Sequence, residues 1–300
     1  MIRKHTRRAA KAAFAIAFGV ALLIGGSAQA AQPTVTIGTK NFTEEYLLGQ
    51  LYKQALEAKG FKVSYKENIG STEIIDKALT SGKINFYPEY TGVILAVVFH
   101  KSKTPGSAVA VYNEAKKLQE GRGFTLFKMT PFYDRDEMGV LTSTAQKDGL
   151  KQVGDLKKVD NLVICGYPEF ATRLQGAIGL KTVYHVTNFT FKPLASISAY
   201  QLLDQGDCTA ADVFSTDPQL AGTKYTILKD VKNVFGFQNV APVVSGKLVD
   251  ALGPTFQQTI DAVSAKLTLP AMIAMNKAVA IDKKSAATVA GAFLKANGLA

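Results

Sequence analysis

Residues 34–92 read "TVTIGTKNFTEEYLLGQLYKQALEAKGFKVSYKENIGSTEIIDKALTSGKINFYPEYTG". "TVTIG" alternates and is β-branched, so it predicts a strand. "TEEYLLGQLYKQALEAKG" spaces Tyr46, Leu47, Leu51, Ala55 and Leu56 at helical intervals between an acidic first turn and Gly60. "FKVSYKE" predicts a second strand, "STEIIDKALTSG" a second helix opened by Ser71 or Thr72, and "KINFYPE" a third strand. The unit is β-α-β-α-β. It ends on Tyr87 and Tyr90 bracketing Pro88 and Glu89, an aromatic cluster where a strand runs out.

Residues 161–217 repeat the plan. "NLVICG", "KTVYHV" and "TAADVFSTD" predict strands, while "PEFATRLQGAIGL" and "SISAYQLLDQG" predict helices. Strands alternating with helices predict parallel sheets covered on both faces, one doubly wound lobe per unit. "EMGVLTS" lies between the units and "VFGFQNVAPVVSG" after the second, so the chain crosses over and returns. The expected lobes are residues 31–138 with 237–300, and residues 139–236, with a helical tail from about 248. Ligands of open α/β sheets sit beyond the carboxyl ends of strands. "GTKN", "YPEYTG", "CGYPEF" and "FSTDPQ" are such ends and should line a cleft between the lobes.

The first 30 residues are set apart. "MIRKHTRRAAK" is basic, "AAFAIAFGVALLIGG" is an apolar run too short for a membrane span, and Ala28 and Ala30 form a small-residue cleavage site. A secretory signal cut between Ala30 and Ala31 is expected, with the mature chain soluble in a periplasm. The leader holds five of the 35 Lys and Arg and none of the 24 acids, leaving the mature chain near +6. Its basic residues are scattered, which argues for a solvated surface and against nucleic-acid binding. No nucleophile elbow, phosphate loop, zinc-protease helix or Cys-x-x-Cys pair occurs, and His100 and His185 lack metal-ligand spacing. The chain reads as a binding protein without cofactor or metal rather than an enzyme, and as a monomer. Cys165 and Cys208 fall near opposite ends of neighbouring strands in a 2-1-3 order. They are expected about 10–15 Å apart at about 3.3 Å per residue, too far for a disulfide.

"IGTKNFTEEYLLGQL", "NIGSTEIIDKALTSGKINFYPEYTG", "GYPEFATR" and "VFSTDPQ" resemble the quaternary-ammonium (osmoprotectant) substrate-binding proteins of ABC importers, over about 34–298. The resemblance implies a type II periplasmic-binding-protein fold: two lobes, a two-segment hinge and a ligand trapped by lobe closure. It implies a small glycine betaine-, choline- or carnitine-like ligand and an ABC permease partner. A trimethylammonium head is held by aromatic faces through cation–π attraction, a carboxylate end by Lys, Arg and hydroxyl donors. By position, Lys40 resembles a carboxylate-binding lysine, Tyr90 a cage tyrosine and Arg173 an arginine reaching from the other lobe. Phe214 stands where the family usually has a cage tyrosine. Ser71 and Thr72 open a helix whose amides could meet an anionic end, and Asp136 could face a cation. Val93, Met138 and Gln238 depart from the family's pattern, the last two at cage positions, which leaves the ligand open. Two alternatives stay beside this reading: a binding protein for another small polar metabolite, and a ligand-sensing subunit that docks on a membrane receptor.

Overall fold

The computed structural model describes residues 1–2, 32–195 and 197–300; the expected secretory leader lies almost wholly outside them. The chain runs β1 (Val35–Lys40), α1 (Thr43–Ala58), β2 (Val63–Gly70), α2 (Thr72–Thr80), β3 (Phe86–Tyr90) and α3 (Thr91–Val93), which continues as a π-helical turn over Ile94–Val98. There follow α4 (Ala108–Glu120), β4 (Phe124–Leu126), β5 (Asp136–Leu141), α5 (Thr142–Lys147), β6 (Leu162–Gly166), α6 (Ala177–Thr182), β7 (Phe189–Pro193), α7 (Ala199–Gln205), β8 (Ala210–Phe214) and β9 (Tyr225–Leu228). The chain ends with β10 (Val240–Ser245), α8 (Gly246–Leu252), α9 (Pro254–Lys266), α10 (Leu269–Ala280) and α11 (Ala286–Ala296).

Two five-stranded sheets form, ordered β2-β1-β3-β10-β4 and β7-β6-β8-β5-β9. Each carries the parallel 2-1-3 core of its repeat unit. The two crossing stretches are strands rather than plain connectors: β5 pairs antiparallel with β8 and β9, and β10 antiparallel with β3 and β4. Both sheets are therefore mixed, not wholly parallel. The chain enters the second sheet at Asp136, and Met138 is buried in that sheet's core beside Val140 and Ile164. The crossings also hold each other. Thr130 N donates to Val240 O, Asp134 N donates to Gln238 O, and Tyr133 bridges Asn239.

Two local expectations give way in the second lobe. "PEFATRLQGAIGL" is not one helix: a 3₁₀ turn covers Pro168–Thr172, Arg173 is extended, and α6 begins only at Ala177. The third-layer strand is Phe189–Pro193 rather than "KTVYHV", whose Lys181 and Thr182 finish α6. His185 then turns the chain at φ +57°. In the first lobe Pro88 does not end its strand. It lies inside β3 opposite Pro242 of β10. Two prolines can face each other only at a pair exchanging no backbone hydrogen bonds, so the register absorbs both missing N–H groups. Gly92 is there for close approach: a Cβ would lie 2.6 Å from Phe237 O and 2.7 Å from Gln238 Oε1.

Cys165 and Cys208 form a disulfide, with Cα atoms 5.9 Å apart, contrary to the expectation of free thiols. The strand assignment was right, since Cys165 sits opposite Ala211 across β6 and β8. The error lay in extending β8 backwards in a straight line. Cys208 belongs to the turn after α7, which covers this face. Both cysteines are buried with Ala199, Leu202 and Leu203 of that helix. The chain approaches β8 from above the sheet and drops Cys208 onto Cys165. Thiol titration of the unfolded, unreduced protein should find no free thiol. Replacing both cysteines by serine should lower stability by about 2–4 kcal/mol, since the bridge closes a loop of 43 residues. Denaturant melts of the variant check this.

Candidate functional site

The carboxyl ends of β1, β3, β6 and β8 meet across the gap between the two sheets, and a cavity of about 750 Å³, partly open to solvent, lies there. Of the residues singled out from sequence, Lys40, Ser71, Thr72, Tyr90, Asp136, Arg173, Phe214 and Gln238 all border it. Met138 does not. It stands two residues beyond Asp136 along β5, opposite Asp212, and its side chain enters the lobe core. Sequence reasoning missed Phe42, Asp134, Tyr167, Gln175 and Asp212 as cavity residues. Tyr167 lies within a quoted strand-end turn and Phe42 directly follows one, so the strand-end rule, carried one residue further, could have found them. Asp212 is inside a strand and carries no local signal.

Four rings form a chain across the cleft. Tyr90 and Phe42 stack at 6.1 Å between centroids, Phe42 and Phe214 at 6.5 Å with planes 3° apart, and Phe214 meets Tyr167 at 5.8 Å. The first two belong to one lobe, the last two to the other. Tyr90 and Phe214 are positioned by polar groups. The Tyr90 hydroxyl donates to Glu44 at 2.9 Å, and the Phe214 N–H donates to Asp217, which also accepts from the Tyr200 hydroxyl at 2.8 Å.

Lys40 is buried. Its ammonium pairs with Glu89, lies 4.0 Å from Glu45 and sits 4.2 Å from the centroid of the Tyr90 ring. Glu89 further accepts from Thr72 Oγ1 at 3.1 Å and from its neighbour's N–H. The lysine is thus an internal counterion and already presents a cation to one face of Tyr90. Arg173 is not paired with Glu169 along a helix. It reaches across the cleft to Glu73 of α2 at 3.3 Å, and its buried Nε has no partner among the described residues. Gln175 Nε2 donates to Gly92 O at 3.3 Å, and Asn276 Nδ2 to Thr216 O at 3.4 Å, both also between lobes. Gln238 spends its amide on the hinge, accepting from Val93 N and donating to Phe235 O.

The rest of the wall is acidic. Burial pushes Asp134 and Asp212 well above the usual carboxylate range, and raises Asp136 and Glu44 as well. Burial lifts Asp217 to about 6, and Glu45 to about 8 despite the Lys40 ammonium beside it. Such groups keep protons in the folded chain that the unfolded chain releases near pH 4. Folded stability therefore falls as pH rises from about 4 through about 6 for Asp217 and through about 8 for Glu45. The ligand-free protein should melt about 3 °C or more higher at pH 5.5 than at pH 8. Glu45→Gln should flatten the upper part of that profile; calorimetric scans at graded pH check both.

Two mixed α/β sheets joined by paired crossings around such a cleft define a two-lobed substrate-binding protein. The chain belongs to the family described as the substrate-binding domain of ABC-type glycine betaine transport systems, which it matches over residues 33–296. It is 30% identical to a glycine-betaine-binding protein of Pseudomonas aeruginosa, over 93% of this chain and 92% of that protein. Apo YehZ from Escherichia coli superposes with a TM-score of 0.65 at 25% identity, covering 89% of this chain and 99% of that one. A glycine betaine/carnitine/choline ABC transporter structure gives a TM-score of 0.72 at 24% identity, over 88% and 99%, a likeness of fold. Among the described residues no helix is long and apolar enough to cross a membrane.

Proposed function

We propose that this protein is the extracytoplasmic substrate-binding component of an ABC importer, exported to the periplasm, and that it captures a small quaternary-ammonium or betaine-like compound between its lobes. The observation that carries this reading is the ring chain Tyr90–Phe42–Phe214–Tyr167 bordering a cavity whose wall also holds Asp134, Asp136 and Asp212. A trimethylammonium group offers no hydrogen bond, and aromatic faces are what attract it. The contacts of Phe42 with Phe214 and of Glu73 with Arg173 are those that closure of residues 32–135 with 237–300 on residues 136–236, about the two crossings, makes across the cleft. The closed form would then dock on a membrane permease. The binding unit is a monomer.

The roles of the two cations separate. Lys40 has Glu89 as its counterion and serves to hold the wall. Arg173, with a free buried Nε, is the group for a ligand carboxylate. A melting panel of glycine betaine, choline and carnitine tests the reading, because a true ligand at about 100 times Kd stabilises by about 2.7 kcal/mol. A panel with no shift for any onium compound would overturn it. Phe214→Ala should weaken every onium ligand about 5- to 30-fold, a cation–π contact being worth about 1–2 kcal/mol. Arg173→Ala should weaken carboxylate-bearing ligands and leave choline nearly unchanged. Titration calorimetry on the two variants distinguishes these outcomes.

A further inference from the structure

The cavity wall is built to receive hydrogen bonds more than to give them. Asp136 of β5 and Asp212 of β8 lie on adjacent antiparallel strands of the second lobe, Asp136 opposite Phe214 and Asp212 opposite Met138. Both border the cavity, with their side chains on the same face of the two strands. Asp212 is 2% exposed, yet its Oδ1 accepts no hydrogen bond from any described group. Gln175, 4% exposed and bordering the same cavity, is fixed by its Nε2 bond to Gly92 O and leaves its Oε1 likewise unpartnered. Across the cleft the hydroxyls of Ser71 and Thr72 donate to Glu73 at 2.6 Å and Glu89 at 3.1 Å. Toward the cavity they have only lone pairs to offer.

A buried acceptor without a donor is costly, and a ligand that supplies the donor recovers that cost on binding. Glycine betaine cannot supply it: its carboxylate only accepts and its methyl groups do neither. We propose that the ligand of this cleft carries, besides its onium head, a hydroxyl or N–H donor that it delivers to Asp212, so that Asp136, Asp212 and Gln175 set specificity among onium compounds. This rests on the onium reading above and narrows it. Asp136 stands beside Asp212 in the same wall, on the neighbouring strand.

The test separates donor from charge. Titration calorimetry compares choline with its O-methyl ether, which keeps the cation and loses the O–H, and histidine betaine with glycine betaine. In the wild type the donor-bearing member of at least one pair should bind about tenfold tighter or more, the loss expected when a buried acceptor stays unpaired. In Asp212→Asn, which halves the acceptor capacity and adds competing donors, that ratio should fall toward one. Wild-type protein that binds both members of each pair equally, or glycine betaine most tightly of all, overturns the inference and leaves the onium reading standing. No binding by any of the four overturns both. The wild-type comparison decides the matter even if the variant fails to fold.

Discussion

The buried pair of Lys40 and Glu89 is the contact on which the first lobe's half of the cleft depends. Lys40 ends β1 and Glu89 sits one residue from the end of β3, so their bond ties the carboxyl ends of adjacent strands at the height where a ligand would lie. Glu89 also takes the hydroxyl of Thr72, the first residue of α2, and Lys40 N donates to Glu45 in the first turn of α1. One ion pair thus sets two strand ends and two helix starts. Such a pair adds little net stability over an apolar replacement, but losing one partner strands a buried charge at a cost of about 3–5 kcal/mol. Its value is geometric: it fixes Tyr90 with one face over the ammonium and the hydroxyl on Glu44.

The second lobe answers with different means. Phe214 is set by Asp217 receiving its N–H, and Tyr167 by the start of the 3₁₀ turn that Pro168 opens. Among the described residues no lysine lies over these two rings, and burial raises Asp212 and Asp136 beside them by making their charged forms costly. One wall is therefore a neutralised ion pair and the other a set of buried carboxyls whose charged forms are costly. Neither presents a dense fixed charge, so the lobes can approach without large repulsion.

What could be read from sequence follows from which forces are local. Period-2 and period-3.6 patterns marked most strands and helices of both units, and the strand-end rule placed Lys40, Tyr90 and Phe214 at the cleft. The antiparallel character of β5 and β10 was not legible, because "EMGVL" and "VAPVVS" read equally well as buried connectors until their partners are known. The disulfide was missed because one dimension was used for a three-dimensional approach: residue counting along β8 says nothing of a chain arriving from over the sheet. Arg173 showed a helical context in "PEFATRLQ", yet Pro168 and the break before Ala177 leave it extended, free to cross to Glu73.

Met138 and Gln238 show how a pattern mismatch in a one-dimensional alignment acquires its meaning in space. Met138 shares a strand face with Asp136, but two residues deeper, where the neighbours are Val140 and Ile164 and the side chain is core. The cleft role passes to Asp136 at the start of that strand and to Asp134 just before it. Gln238 does reach the cavity, but its amide bridges Val93 N and Phe235 O, so it joins the chain leaving β3 to the returning crossing. A tyrosine there could offer a ring but not that pair of bonds in the same space, and Gly92 has no room to give. The aromatic faces this chain presents therefore come from Phe42 and Tyr167, on turns whose backbone is set by the strands before them. The acceptor-rich remainder of the wall follows from the same exchange of ring for polar groups.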